Sequence, residues 1–475
     1  MLLERIYDED LAQASYLIAC QSNGEAIVVD PRRDIQVYLD LAAKHNIRIA
    51  AVAETHIHAD YLSGTRELAA HTGATMYVSD EGGIDWSYGE GFAQATRMKH
   101  GHRLRLGNIT VEAVHTPGHT PEHMSFLVTD GAQSDTPGFL LSGDFVFVGD
   151  VGRPDLLDEA AGHVDTRFTG AKDLFKSLRD QFLILPDYVQ VLPAHGSGSA
   201  CGKALGAIAA TTVGYERNFS WWGKYLQNND EAGFVAELLN GQPDAHGYFA
   251  RMKSQNKSGP ALIASPAELI EFDAPSLRVE LAKEQAILVD TRHNTEVHAG
   301  TVPGALNVPG PAKSASYASW VYDPEREQLP LVLFVPSRAI AEEMRDHLLR
   351  VGIDTVRGFI TSLDGLQLSQ PQLVSPHELD SLDRVMLLDV RNKTEFAAGH
   401  LPKAAQLAAG RALWNLDQLP EPEAGTIVSY CQSGVRNSVI ASALRREGYE
   451  IVELEGSYQA WRDAGLATAR YTAAG

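Results

Sequence analysis

Three observations predict an α/β protein of several domains. At 475 residues the chain is longer than one hydrophobic core usually organises, and domains of roughly 100–200 residues divide it into about three. Short Val/Ile/Leu runs alternate with turn residues and helical patterns in the first half, as in Ala26-Ile27-Val28-Val29-Asp30-Pro31 followed by a helix candidate from Ile35 to Lys44. The second half contains an internal repeat: Asp290-Thr291-Arg292 recurs as Asp389-Val390-Arg391. The same offset pairs Glu296 with Glu395, Gly300 with Gly399, Pro303 with Pro402 and Ala305 with Ala404.

Each copy of the repeat alternates strands and helices. Leu331 to Val335 precedes a helical segment from Ile340 to Val351, and Ile427 to Tyr430 precedes one from Ser438 to Glu447. Such alternation favours a parallel sheet flanked by helices, with ligands bound at the carboxyl ends of strands. Between the halves, Lys253-Ser254-Gln255-Asn256-Lys257-Ser258-Gly259-Pro260 reads as a linker.

Composition narrows the function. Hydrophobic residues make up 44% of the chain, enough for ordinary cores, and the net charge is −21 with pI near 5.2. Nucleic acid and anionic membranes reward clustered Lys and Arg, so neither is an expected partner. Three cysteines, Cys20, Cys201 and Cys431, make no disulfide framework and suit a reducing compartment. The opening Met1-Leu2-Leu3-Glu4-Arg5-Ile6-Tyr7-Asp8-Glu9-Asp10 lacks the cationic and apolar segments of a signal peptide. With no apolar stretch of spanning length, a cytoplasmic protein is expected.

Four polar clusters follow short apolar runs: Thr55-His56-Ile57-His58-Ala59-Asp60, His115-Thr116-Pro117-Gly118-His119, Ser142-Gly143-Asp144 and Pro193-Ala194-His195. Imidazoles and carboxylates delivered from separate strand ends are what a metal site needs, and this donor set suits Zn, Mn or non-haem Fe. Pro117, Gly118, Gly143 and Pro193 bend the backbone so that several segments can approach one ion. A single His of this kind is most often just a hydrogen-bonded core or surface residue. Their joint occurrence is what carries the metal reading.

These motifs resemble the metallo-β-lactamase superfamily over roughly residues 10–245, which implies an αββα sandwich. Tyr61 stands where hydrolases of that superfamily usually carry a further His for a second zinc, and a phenol of pKa about 10 is a poorer ligand. With Val151-Gly152-Arg153-Pro154-Asp155 added, the segment is similar to the persulfide dioxygenases. That resemblance implies one Fe(II) per chain held by His56, His119 and Asp144, with open positions for substrate and O2. His58, Asp60, Tyr61, Arg153 and His195 then surround the ligands or face the substrate. The implied reaction oxidises a small thiol persulfide to sulfite and thiol; glutathione, coenzyme A, bacillithiol and cysteine are all open as the carrier.

Cys431-Gln432-Ser433-Gly434-Val435-Arg436 lies between a strand and a helix, where loop N–H groups and the helix N-terminus favour thiolate. Arg436 can add charge or bind an oxyanion. With Gly399-His400-Leu401-Pro402 and Gly456-Ser457-Tyr458-Gln459-Ala460-Trp461, the segment resembles a rhodanese domain over roughly 375–470. The resemblance implies a persulfide on Cys431, with sulfite and thiosulfate as exchange partners. The earlier copy reads Leu333-Phe334-Val335-Pro336-Ser337-Arg338 and has no cysteine, so it is expected to be a silent spacer or docking module. Cys201, in a Gly/Ser-rich stretch after His195, is either a sulfur relay at the metal cleft or a small residue starting a helix. Cys20 reads as a core strand residue, and Trp221 and Trp222 as a substrate wall or an interface, with core packing favoured for at least one of them.

The expected architecture is a metallo-β-lactamase domain over residues 1–250, a cysteine-less rhodanese-like domain over 262–370 and a rhodanese domain over 372–475. A homo-oligomer is expected. Two rival functions stand beside the oxygenase–sulfurtransferase reading: a two-zinc thioester hydrolase of glyoxalase II type, and a non-catalytic sulfur-responsive binding protein.

Overall fold

A computed structural model of the chain describes residues 1–156, 158, 166–382 and 384–470. The expected last domain therefore runs past the described residues at 471–475. Two compact units are formed: Met1–Gln242 with Phe249–Ser265, and Pro243–Tyr248 with Pro266–Gly475.

The first unit is a sandwich of two six-stranded sheets. In one, Leu2–Asp8, Gln13–Cys20, Glu25–Val29, Arg48–Ala53, Thr75–Ser79 and Thr96–Met98 lie side by side in chain order. In the other, Arg103–Leu106, Ile109–His115, Met124–Asp130, Phe139–Gly143, Gln190–Pro193 and Thr211–Thr212 do the same. Alternate side chains of a strand point to opposite faces, and the Gln13–Cys20 strand shows the result. Tyr16, Ile18 and Cys20 meet Val111, Phe126 and Leu141 of the facing sheet, whereas Leu17 and Ala19 turn outward to Tyr38 and Ala42 of the helix Gln36–His45. The outer face of the second sheet is covered by Ala171, Leu174 and Phe175 of Thr166–Ser177 and by Phe234 and Leu238 of Glu231–Leu239. Helices thus flank both sheets.

The stretch read as a linker is instead largely the helix Phe249–Ser258. Its polarity misled because Asn256, fully buried, spends its amide on the first unit, donating to the carbonyls of His58 and Tyr61 and accepting from Ser63 N–H. Trp222 is core, while Trp221 stacks on Phe234 and donates to Asp150.

The second unit contains two five-stranded, all-parallel sheets with the same strand order. One reads Ile270–Glu271, Val356–Ile360, Leu331–Phe334, Ile287–Asp290, Leu306–Asn307; the other reads Leu373–Val374, Ile451–Leu454, Thr426–Tyr430, Val385–Asp389, Ala405–Gln406. The repeated Asp-x-Arg has one job in both. Arg292 bonds Asp290 and the Gly300 carbonyl, and Arg391 bonds Asp389 and the Gly399 carbonyl. The helix Val435–Arg446 of the later module also docks on the earlier one, where Ser438 Oγ donates to Asn307 Oδ1 and Ser442 Oγ accepts from Asn307 N–H. Among the described residues no helix is long and apolar enough to cross a membrane.

Candidate metal centre and cysteine loop

Thr55 to Asp60 leave the carboxyl end of Arg48–Ala53, and His119 lies in the turn between Ile109–His115 and Met124–Asp130. Asp144 follows Phe139–Gly143, and His195 follows Gln190–Pro193. These loops converge, and His56, His119 and Asp144 offer ligand atoms that all lie within 4.8 Å of one another. All three residues are buried. Close approach needs small residues. Gly143 has φ +55°, and a Cβ there would stand 2.6 Å from His123 Nε2 and 2.9 Å from Thr55 Cβ. A Cβ on Gly152 would collide with the Asp144 carbonyl oxygen.

Hydrogen bonds fix which imidazole nitrogen faces inward. A carbonyl can only accept, so His119 Nδ1, 2.8 Å from Arg153 O, and His195 Nδ1, 3.0 Å from Ala12 O, both carry the proton and leave Nε2 bare. Thr55 Oγ1 donates to Asp30 Oδ2 at 2.8 Å, so His56 Nδ1 donates in turn to Thr55 Oγ1 at 2.9 Å. His56 is thereby set in the same tautomer. Burial, helped by the surrounding imidazoles, holds the His56 pKa well below its usual value. Burial also lowers that of His119. Neutral imidazoles are the ligating form.

The donor set fits a cation. Among the described residues both Asp144 carboxylate oxygens are buried with no hydrogen-bond partner, and His119 Nε2 and His195 Nε2 stand 3.4 Å from them. A buried carboxylate lacking donors is costly. A metal ion held by His56, His119 and Asp144 would give that carboxylate the partner it lacks.

A second buried group, Asp60, His195 and Cys201, also brings its ligand atoms within 4.8 Å of one another. Cys201 thus lies at the cleft and in a loop, not at a helix start. Burial, reinforced by the Asp144 and Asp60 charges, pushes its thiol pKa well above the usual value. Burial likewise raises Asp60 against the pull of His195.

The other expected residues act from behind. His58 Nε2 bonds Asp30 Oδ1 at 3.1 Å. Burial opposes protonation of His58, yet Asp30, Asp60 and Glu54 outweigh it and hold the pKa at about 9. Tyr61 is fully buried and donates to the Asp30 carbonyl at 3.1 Å. Burial, then Asp30 and Asp60, keep its phenol protonated, so it is a buttress without ligand character. Arg153 clamps Asp155 through Nε and Nη2 and reaches the Ala200 carbonyl at 3.1 Å, while its own carbonyl orients His119.

Two residues central to the site escaped the sequence reading. His123 Nε2 accepts from Asp144 N–H at 3.0 Å while its ring stacks on His56. Burial and then His119 lower its pKa to about 3. Asp30, held at φ +53°, gathers Thr55 N–H, Thr55 Oγ1 and His58. Its place at the end of an apolar run, as at Asp144, was the available signal.

In the second unit, Cys431 is buried directly after Thr426–Tyr430. Gly434, at φ +105°, turns its N–H onto Cys431 Sγ at 3.1 Å just ahead of the helix Val435–Arg446. That contact and the helix N-terminus both direct positive potential at the sulfur. Arg436 lies close enough to Cys431 for their charges to couple. It pairs bidentately with Glu395 at 2.7 and 2.8 Å, and so spends much of its charge on shaping the loop. Arg391 supplies a different link, lying 3.9 Å over the Tyr458 ring with Nη1 3.3 Å from Gln432 Oε1. Cys20 is core, as expected, although Ser22 Oγ lies 3.0 Å from its sulfur.

Comparison with known proteins agrees with this division. The metallo-beta-lactamase superfamily model matches residues 8–195, and the rhodanese-like domain model matches residues 375–464. The crystal structure of a metallo-beta-lactamase from Staphylococcus aureus subsp. aureus COL is 36% identical. It covers 76% of this chain and 99% of its own, with a TM-score of 0.68. The mitochondrial persulfide dioxygenase ETHE1 of Mus musculus is 27% identical over 202 residues, 41% of this chain and 68% of that protein. A hydroxyacylglutathione hydrolase-like protein of Homo sapiens is 33% identical over 141 residues, 29% of this chain and 44% of that protein. The chain belongs to the metallo-β-lactamase superfamily, as a fusion of that mixed α/β domain with a C-terminal rhodanese-like domain.

Proposed function

We propose that the chain is an Fe(II)-dependent persulfide dioxygenase fused to a sulfurtransferase, with residues 1–250 carrying the oxygenase, 372–475 the transferase and 262–370 a cysteine-less module between them. The observation that carries this reading is the two-imidazole, one-carboxylate set of His56, His119 and Asp144, with the Tyr61 hydroxyl committed to the Asp30 carbonyl. Two imidazoles and one carboxylate would hold a divalent metal while leaving it able to take up substrate. The 27% identity to the mouse persulfide dioxygenase supports the substrate class. Three unpaired, buried cysteines fit a cytoplasmic setting.

When bound, Fe(II) supplies coordination positions at which the persulfide sulfur and O2 are brought together. The chain's own residues do the rest. Arg153 O, Thr55 Oγ1 and Ala12 O hold three imidazoles in the ligating tautomer, and His123 holds the Asp144 backbone. The residues that would hold the metal are themselves buried, which would limit the access of bulk water to it. Cys201 is the candidate relay of sulfur at this cleft. Its thiol is held protonated, so a relay needs a base, and His195 is the imidazole beside it. In the transferase, Cys431 carries sulfane sulfur as a persulfide that it exchanges with sulfite, thiosulfate or a small thiol, and the Gly434 N–H on Sγ stabilises the Cys431 thiolate formed when the outer sulfur is handed on.

One observation favours a second reading. The group Asp60, His195 and Cys201 beside the first set is a place for a second metal, as a zinc-dependent thioester hydrolase requires. Metal quantification on anaerobically purified protein, followed by oxygen-electrode assays with glutathione, coenzyme A and cysteine persulfides, separates the readings. One iron per chain with O2 uptake is expected, and His119→Ala should lose both together. Two zincs with thioester turnover and no O2 uptake would establish the hydrolase. Iron-loaded protein that consumes no O2 with fresh persulfide would establish a binding protein.

A further inference from the structure

The cysteine-less module reaches the Cys431 loop through Asn307. This residue ends the strand Leu306–Asn307 and is buried, with both ends of its amide engaged. Nδ2 donates to the Asp290 and Arg292 carbonyls of its own module at 2.9 and 3.0 Å. Oδ1 accepts from Ser438 Oγ at 2.9 Å, and the backbone N–H donates to Ser442 Oγ at 2.9 Å. Ser438 and Ser442 stand one turn apart on the helix Val435–Arg446 of the later module, so a single residue pins one face of that helix at its start. Ser438 N–H in turn donates to the Gly434 carbonyl at 2.9 Å, and Gly434 N–H lies on Cys431 Sγ at 3.1 Å. Three successive hydrogen bonds therefore lead from Asn307 to the sulfur. Asn294 of the same module backs the turn, since a Cβ on Gly434 would stand 2.7 Å from Asn294 Nδ2. The fold itself does not ask for the bonds to the serines. Gln406 pairs with Asp389 as Asn307 pairs with Asp290, but it is half-buried and its amide donates to the Arg391 carbonyl of its own module.

We propose that Asn307 is a positioning residue of the Cys431 site: by fixing the first turns of the helix Val435–Arg446 it keeps the Gly434 N–H on Cys431 Sγ. The module without a cysteine is then a working part of the sulfur site. Its effect on transfer rests on the reading of Cys431 as a sulfur carrier. When sulfite takes the outer sulfur of a Cys431 persulfide, the sulfite lone pair forms the new S–S bond, the bond to Sγ breaks, and its electron pair stays on Sγ as thiolate. The product is thiosulfate, any proton of the outer sulfur leaves on it, and no outside oxidant or reductant is needed. The Gly434 N–H faces Sγ, the atom on which charge develops, so its alignment bears on the rate of this step and not on the binding of sulfite.

The test uses full-length protein loaded anaerobically with glutathione persulfide and freed of excess reagent. Loss of the Cys431 persulfide is followed by peptide mass after adding sulfite. Asn307→Ala should lower the limiting discharge rate about fivefold, the worth of one neutral hydrogen bond, while leaving the half-saturating sulfite concentration unchanged. Alkylation of reduced Cys431 by iodoacetamide at neutral pH should slow by a similar factor, because the thiolate is the nucleophile. Ser438→Ala should match both effects without touching the bonds to Asp290 and Arg292, and Ser438→Thr, which keeps the hydroxyl, should recover most of the loss. The double variant Asn307→Ala, Ser438→Ala should be no slower than either single one, since the two act through one bond. Unchanged alkylation in Ser438→Ala, or effects that add in the double variant, would overturn the inference while leaving Cys431 as carrier. A wild-type Cys431 that alkylates but takes up no persulfide would overturn the carrier reading, and the alkylation rates would still decide the role of Asn307.

Discussion

The two parallel-sheet modules of the second unit share strand order and the same Asp-x-Arg-to-glycine clamp, yet only one ends its central strand in a sulfur site. Asp290 pairs with Phe334 as Asp389 pairs with Tyr430, so Val335 occupies the place of Cys431. The difference extends beyond that residue. After Cys431 the chain uses Gly434 at positive φ to aim an N–H at sulfur. After Val335 comes Pro336, which has no N–H, and then Ser337, whose hydroxyl caps the helix Arg338–Leu349 by accepting from Ile340 N–H. One loop turns an N–H onto a thiol sulfur, and the other spends a hydroxyl on capping its helix. The duplicated scaffold is therefore separable from the chemistry it presents.

The largest expected effect tests the active loop. Cys431→Ser should abolish sulfur transfer, measured as thiosulfate formed from persulfide and sulfite under anaerobic conditions, while sulfite production from a small persulfide stays largely intact. Loss of both would mean that the two sites share one obligatory path. Val335→Cys, placed in the Cys431→Ser background, should restore no transfer, because the N–H arrangement is missing there. Recovery above the background rate would break the comparison and make the thiol sufficient.

Smaller effects sharpen the scaffold comparison. Asp389→Asn leaves the Arg391 charge, its side chain 2% exposed, without its partner, a loss of about 3–5 kcal/mol by analogy with broken buried pairs. Asp290→Asn should cost clearly less, because the Arg292 side chain is 25% exposed and water can take over part of its solvation. Thermal unfolding of the full-length variants checks the order. Equal shifts would mean that burial does not set the worth of this clamp.

Much of this was legible in the chain. His56, His119 and Asp144 stood out because each follows an apolar strand, the latter two directly after Gly118 and Gly143, and the folded chain brings them together. His123 did not stand out, since its role is to accept from the Asp144 backbone, a contact between segments that no local spacing reveals. Asn256 was hidden for the opposite reason. A polar helix reads as linker until its amide is seen to satisfy the backbone of His58 and Tyr61.

The sequence by itself determined the α/β class, the duplicated module and the kinds of ligand and nucleophile available, because apolar periodicity, repeated spacing and residue chemistry are local properties. Tertiary structure alone decided the rest. It chose the tautomers of the inward imidazoles through the carbonyls of Arg153 and Ala12, tied Arg436 to Glu395, brought Cys201 to the metal cleft and set Asn294 against the Cys431 loop. Each of these depends on groups distant in the chain, and a hydrogen bond or an ion pair acts only over the few ångströms that folding closes.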